Sequence, residues 1–159
     1  GGLPVGSYHA FHPRHPDPLE QAKRYLDRAY DLTSLAPGWD VELAEGQPLD
    51  VVAERALDAL AWLAEAWGKV PWIYTGADFG ARLAAASPRW RAEAARYPLW
   101  LADYRAAAHV PAPWNRWTAW QWTTTPTITS YPLDLSWFEG DEIALAALGR
   151  SSRGEPSAA

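Results

Sequence analysis

Apolar and polar positions alternate along residues 3–11, with Val5, Ser7 and His9 on one face and Gly6, Tyr8 and Ala10 on the other, which is the period of a strand. A loop of prolines and histidines follows. Asp17-Pro18-Leu19-Glu20 then supplies a helix start: an Asp cap, Pro at the first helical position and Glu three after the cap. Ala22, Tyr25, Leu26 and Ala29 recur at helical spacing, so this helix is expected to run to about Leu32. Pro37-Gly38 interrupts the chain, and residues 39–43 read as a second strand. Val52, Ala56, Ala59, Leu60 and Leu63 predict a helix over residues 49–67, with Gly68 suited to the position just past its end. A strand over 70–74, a helix over 77–86 and three more strands, over 99–104, 118–123 and 133–138, complete the pattern. No internal repeat is present.

Strands alternating with helices argue for an α/β fold built on a parallel sheet. An eight-stranded α/β barrel typically takes roughly 200 residues or more. With 159 residues and six expected strands, the chain falls about two strand units short of one. We expect a single domain over residues 1–150 and a disordered tail over 151–159, where the sequence is small and polar. The opening Gly-Gly-Leu-Pro-Val-Gly reads like the middle of a domain.

Charge narrows the partners. Fourteen Lys and Arg against nineteen Asp and Glu give a net −5 with no basic cluster, so nucleic acid is not an expected partner. Nor would that charge draw the chain to an anionic surface. No apolar run reaches the ~18 residues of a membrane span, and a membrane is not expected either. Cysteine is absent, which removes disulfides and thiolate chemistry. Eleven Trp and seven Tyr are the compositional peculiarity, fitting either a Trp-rich core or platforms for stacking sugar faces.

Candidate chemistry centres on Asp40-Val41-Glu42. Residues two apart in a strand share a face, with α-carbons about 6.6 Å apart, twice the ~3.3 Å rise. Carboxyl groups that close resist joint ionisation, so one proton affinity rises. A carboxylic acid kept protonated near neutrality can donate to a leaving oxygen, as glycosidic cleavage requires. On spacing alone, a solvated strand end is the commoner origin of such a pair. Asp134, flanked by Leu133 and Leu135, faces either solvent or a site. His9, His12 and His15 are spaced by three, but Pro13 and Pro16 prevent a single helical face, and no metal site is expected. His9 is instead expected to be hydrogen-bonded near a cleft. Trp120 and Trp122 share a strand face that would serve for sugar stacking or for core packing.

Six segments in order resemble the glycoside hydrolase family 25 lysozymes. Gly2-Leu3-Pro4-Val5-Gly6-Ser7-Tyr8-His9-Ala10-Phe11 is similar to that family's third strand, and Trp39-Asp40-Val41-Glu42 to its fourth, which carries an Asp-x-Glu pair. Trp72-Ile73-Tyr74-Thr75, Leu99-Trp100-Leu101-Ala102-Asp103-Tyr104, Trp120-Gln121-Trp122-Thr123 and Leu133-Asp134-Leu135-Ser136-Trp137-Phe138 resemble the fifth to eighth. The resemblance implies an irregular TIM-like (β/α) barrel, incomplete, with about six of eight strands and the later ones joined by loops. It implies a retaining muramidase that cleaves the β-1,4 bond between N-acetylmuramic acid and N-acetylglucosamine. Glu42 would be the general acid/base, Asp40 would orient the substrate's 2-acetamido group, and Asp134 would be a further site carboxylate. Tyr8, His9, Tyr74, Tyr104 and Trp120 would bind substrate. No metal or organic cofactor is implied. Bacterial peptidoglycan is the implied partner, the location extracellular or at the cell wall, and the complete protein a monomer. The family's first two strands have no counterpart here, which implies open sheet edges near Tyr8 and Asp134, exposed apolar surface and a chain that folds poorly or has little activity alone. The alternative expectation is a non-catalytic glycan-binding module or an inactive fragment of such a lysozyme.

Overall fold

The computed structural model describes residues 4–123 and 133–148, with Ala146 described by its backbone only. The expected tail over 151–159 and the expected strand start at Leu3 lie outside the described residues. The elements run β1 (Tyr8–Ala10), α1 (Pro18–Ala29), β2 (Gly38–Asp40), α2 (Leu49–Trp67), β3 (Trp72–Gly76), α3 (Ala77–Ala86), α4 (Pro88–Glu93), β4 (Leu99–Ala102), β5 (Ala119–Thr123), β6 (Leu135–Phe138) and α5 (Glu142–Leu148). The strands form one sheet in the order β1-β2-β3-β4-β5-β6, parallel from β1 to β5. This is the incomplete TIM-like architecture expected.

Strand ends shift by a few residues throughout, β2 stopping at Asp40, β3 running over Trp72–Gly76, β4 stopping at Ala102 and β6 starting at Leu135, and four larger details differ from the sequence expectations. The first strand is only three residues long, because the Val5 backbone and the Ser34 side chain and backbone bond each other instead, with Ser34 N to Val5 O at 2.8 Å. The first helix ends at Ala29 and tightens into a 3-10 turn over Tyr30–Leu32. Helices α4 and α5 were not expected. The last strand, β6, runs antiparallel to β5, with Trp120 opposite Trp137 and Gln121 opposite Ser136. A parallel crossover takes a dozen or more residues, usually with a helix, and the link between Thr123 and Leu135 is shorter than that.

Local chemistry explains the helix boundaries. Asp17 caps α1 by accepting from Leu19 N at 2.8 Å, with Pro18 at the first position. Helix α2 ends where Gly68 adopts φ 72° and donates its N–H to Ala64 O. Ser87 caps α4 by accepting from Trp90 N at 3.0 Å. Arg89 then ties α4 to α2 through Glu54 and Asp58.

Strand parity divides the sheet into two chemistries. The outward face presents His9, Trp39, Ile73 and Leu99, which pair along the sheet in the order His9 with Trp39, Trp39 with Ile73 and Ile73 with Leu99. Trp39 and Ile73 join the main core with Val41, Phe11, α1 and α2, where Leu57, Leu60, Leu63 and Trp67 are fully buried. The inward row runs Ala10, Asp40, Tyr74, Trp100, Ala119 and Phe138. The sheet curls enough that Tyr8 of β1 and Trp137 of β6 line the same 310 Å³ apolar hollow. Strands β1 and β6 are nonetheless the two edges of the sheet. Tyr8 and Trp137 are both largely exposed there, at 63% and 61%.

Candidate active site

Asp40 closes β2 on its inward side, opposite Tyr74. Glu42 lies two residues beyond the strand rather than inside it, yet the parity continues: Val41 between them is fully buried in the outward core. The extension past β2 is held by Val41 N donating to Tyr74 O at 2.8 Å and by the Thr75 hydroxyl donating to Val41 O at 2.8 Å. The following turn, with Glu45 at φ 49° and Gly46 at φ 79°, is fastened by the Glu45 carboxylate, which takes the His12 ring Nδ1 at 2.8 Å and Arg14 N at 3.1 Å. Glu42 is therefore aimed by a backbone held from three sides.

Both carboxyls open into one cavity of about 360 Å³, lined by Tyr8, Asp40, Glu42, Tyr74, Trp100, Gln121, Asp134 and Ser136. Asp134 reaches it from just before β6, so carboxyl groups separated by more than ninety positions converge. Trp100 stands between Tyr8 and Tyr74, edge-on to both with ring centroids 6.4 and 5.1 Å away, and donates its indole N–H to Ser136 Oγ at 3.0 Å. Among these lining residues there are three carboxyl groups and no cation. The cavity therefore repels anions and favours groups that develop positive charge.

Burial raises the proton affinity of both members of the Asp-x-Glu pair. Asp40 is pushed up to about 7, by burial first and by the neighbouring Glu42 charge second, with His12 opposing. Glu42 is also raised by burial. The Tyr74 phenol is held neutral far above its ordinary value by burial, then by the Glu42 charge.

This has a consequence for stability. Asp40 keeps its proton to about pH 7 in the folded chain but releases it near pH 3.8 when unfolded. Between those values the folded state holds the extra proton, so its stability is full at low pH and declines as pH rises to about 7. Asp40→Asn is expected to leave the thermal midpoint unchanged at pH 4. At pH 8 the variant should be more stable than the parent by about 1–2 kcal/mol, a figure that allows for partial solvation of the carboxylate. Thermal denaturation of both proteins across that range checks this, and a gap that narrows with rising pH would contradict it.

Of the residues expected from sequence, Glu42, Asp40, Asp134, Tyr8 and Tyr74 meet in the cavity. Tyr104, expected at the substrate, does not line it; half exposed, it accepts from Gln121 Nε2, which does, at 3.2 Å. His9 and Trp120, expected at the substrate, are on the other face of the sheet. His9 stacks on Tyr25 and lies against Trp39, within reach of Gln21 at 3.4 Å. Trp120 packs against Trp117 and donates to Asp103 O at 2.6 Å. The reason is parity: each is one residue out of phase with an inward neighbour, Tyr8 or Gln121. Trp100, Gln121 and Ser136 were not singled out from the sequence, although the same alternation marks Trp100 through its register with Tyr74. His12 and His15 turn to Glu45 and to the Asp17 backbone. Among the described residues no three His, Asp or Glu side chains are grouped to hold a metal ion. Among them, too, no helix is long and apolar enough to cross a membrane.

A carboxyl pair of raised proton affinity at the carboxyl end of a barrel strand, in an anionic, aromatic-walled cavity, fits the chemistry of glycosidic cleavage. A family model for glycosyl hydrolases family 25 matches residues 1–131. The chain belongs to that family and is, by that membership, a glycoside hydrolase. Among solved structures it is similar to the bacterial lysozyme from Streptomyces coelicolor, with TM-score 0.78, 24% identity and coverage of 91% of this chain and 71% of that one. It is also similar to a muramidase from Acremonium alcalophilum, with TM-score 0.75, 24% identity and coverage of 91% and 72%. A family GH25 lysozyme from Aspergillus fumigatus gives TM-score 0.74 at 24% identity, covering 91% and 72%. At these identities the likeness establishes the fold. No curated protein sequence matches the chain.

Proposed function

We propose that this chain is a muramidase, cleaving the β-1,4 bond between N-acetylmuramic acid and N-acetylglucosamine in bacterial peptidoglycan outside the cytoplasm, with net retention. The observation that carries this reading is the convergence of Asp40, Glu42 and Asp134 on one cavity walled by Tyr8, Tyr74 and Trp100. The neighbours described as lysozymes and muramidases support the choice of substrate.

In this mechanism the Asp40–Glu42 pair holds one proton between them near pH 6, because burial and mutual repulsion disfavour two charges. In the free site the greater push falls on Asp40. When the substrate's 2-acetamido group donates to Asp40 and begins to carry positive charge, the ionised form of Asp40 is favoured and the proton resides on Glu42. Glu42 donates it to the leaving glycosidic oxygen as the C1–O bond breaks and the acetamido oxygen bonds to C1. Glu42, now a carboxylate, then takes a proton from the water that opens this cyclic intermediate from the opposite side. Two inversions give retention. Asp134 adds negative charge opposite the developing cation, and Tyr8, Tyr74 and Trp100 offer faces and edges to the sugar ring.

Digestion of purified peptidoglycan followed by borohydride reduction and mass spectrometry tests this. We expect new reducing ends that are N-acetylmuramitol. Reduced glucosamine ends would assign a different bond, and binding without new ends would make the chain a glycan-binding module. Proton NMR of early product should show the β-anomer first.

A further inference from the structure

Asp103 is the most deeply buried carboxylate described, with its side chain 3% exposed at the carboxyl end of β4, and the reaction outlined above gives it no part. A buried carboxylate is costly unless its oxygens are satisfied. Its burial would raise its proton affinity, but five donors overrule that and hold it ionised. Oδ1 accepts from Arg105 Nε at 2.7 Å and Arg105 N at 3.3 Å. Oδ2 accepts from Arg105 Nη2 at 3.0 Å and His109 N at 2.8 Å, and the His109 ring Nδ1 lies 3.1 Å away. One carboxylate thus draws the chain from 103 to 109 into a fixed loop. The Asp103 backbone is anchored as well: its N–H donates to Gln121 O at 3.1 Å, and its carbonyl accepts from the Trp120 indole at 2.6 Å.

The residue held between these anchors is Tyr104. Its ring is more than half exposed, so packing does not fix it. Its hydroxyl nevertheless sits at a defined place, accepting from Gln121 Nε2 at 3.2 Å, and Gln121 lines the cavity that holds Asp40 and Glu42. An exposed ring whose hydroxyl must reach a set point depends on its backbone being held. We propose that Asp103 is a positioning residue of the active site, clamping the loop after β4 so that the Tyr104 hydroxyl holds the Gln121 amide in the wall of the cavity shared by Asp40 and Glu42. This rests on the muramidase reading for its kinetic consequence but not for its geometry.

The test is a double-mutant cycle of Asp103→Asn with Tyr104→Phe, reading kcat and KM on peptidoglycan, alongside the Gln121 side-chain amide resonances by NMR. Each single variant is expected to lower kcat about tenfold with a smaller change in KM, as a small misplacement of reacting groups would. If Asp103 acts through Tyr104, the double variant loses no more than either single one. The Gln121 amide protons should shift toward solvent values in both singles. Losses that multiply, or Gln121 resonances unmoved by Asp103→Asn, would overturn the proposal. Should Asp103→Asn fail to fold, His109→Ala weakens the same clamp at an exposed partner and should give a smaller kcat loss that Tyr104→Phe likewise masks. A parent protein that releases no reducing ends would defeat the muramidase reading, and the Gln121 resonances would still decide the clamp.

Discussion

Glu42→Gln is expected to reduce the rate of cell-wall clearing by about 10³-fold, near the middle of the range for loss of a positioned general acid. The substitution keeps the side chain's size and removes the carboxyl that the proposed mechanism uses to protonate the leaving oxygen. Cavity and backbone supports should be unaffected, since those supports attach to Val41, Thr75 and Glu45 rather than to the Glu42 carboxyl. The loss should therefore fall on kcat, with substrate binding retained, which a turbidity assay combined with a pull-down on insoluble peptidoglycan separates. Asp40→Asn should also impair clearing, through the acetamido group, while improving stability at alkaline pH. That opposite pair of effects on rate and stability is what the proposed mechanism requires of a buried carboxyl whose ionised form costs stability but serves the bound substrate. Clearing by Glu42→Gln at the parental rate would remove Glu42 from the mechanism, and the cavity would need another acid.

How much of this was legible in the sequence depends on which interactions are local. Helix α2 was readable to its end because its signals are internal: a repeated apolar stripe and a terminal glycine that reaches φ 72°. Helix α4 carried an equally local signal in Ser87-Pro88, a cap residue followed by proline, that went unread because the helix has only six residues and a weak stripe. The strands were harder. Their lengths are decided by partners elsewhere, as when the Ser34 segment takes the Val5 backbone out of β1. The reversal of β6 is a matter of connection geometry that no side-chain period records.

The same distinction governs the site. Asp40 and Glu42 were legible as a pair because parity across one intervening residue is a local rule, and it survives even though the strand stops at Asp40. Parity also determined which aromatic residues face away from the cavity. His9 and Trp120 were attractive as residue types, but each is out of phase with an inward neighbour, and phase outranks type. What no local rule supplies is long-range convergence. That Asp134 and Glu42 line one cavity and that Trp100 bonds Ser136 both depend on the curl of the assembled sheet.

Trp39→Ala is expected to destabilise the fold by about 3–5 kcal/mol, the usual cost of emptying a large aromatic site in a core. Trp39 is fully buried directly before Asp40, on the outward face of the strand whose inward face carries the acid pair. Its ring lies 5.0 Å from His9, 5.6 Å from Phe11 and 6.3 Å from Tyr25, so it joins β1, β2 and α1 at one point. A domain of this size commonly has only about 5–15 kcal/mol of net stability, so the loss would remove a large fraction of it. Trp39→Phe separates the two contributions of the indole. Trp39 Nε1 is buried with no acceptor among the described residues, and an unmade hydrogen bond in a core costs about 1–3 kcal/mol. Phenylalanine removes that donor while keeping most of the ring, so it should cost far less than alanine, within about 1–2 kcal/mol of the parent. Urea titration followed by circular dichroism measures both. Equal midpoints for the alanine variant and the parent would mean that the outward core does not hold the strand bearing Asp40, and the account of how that carboxyl is aimed would have to start elsewhere.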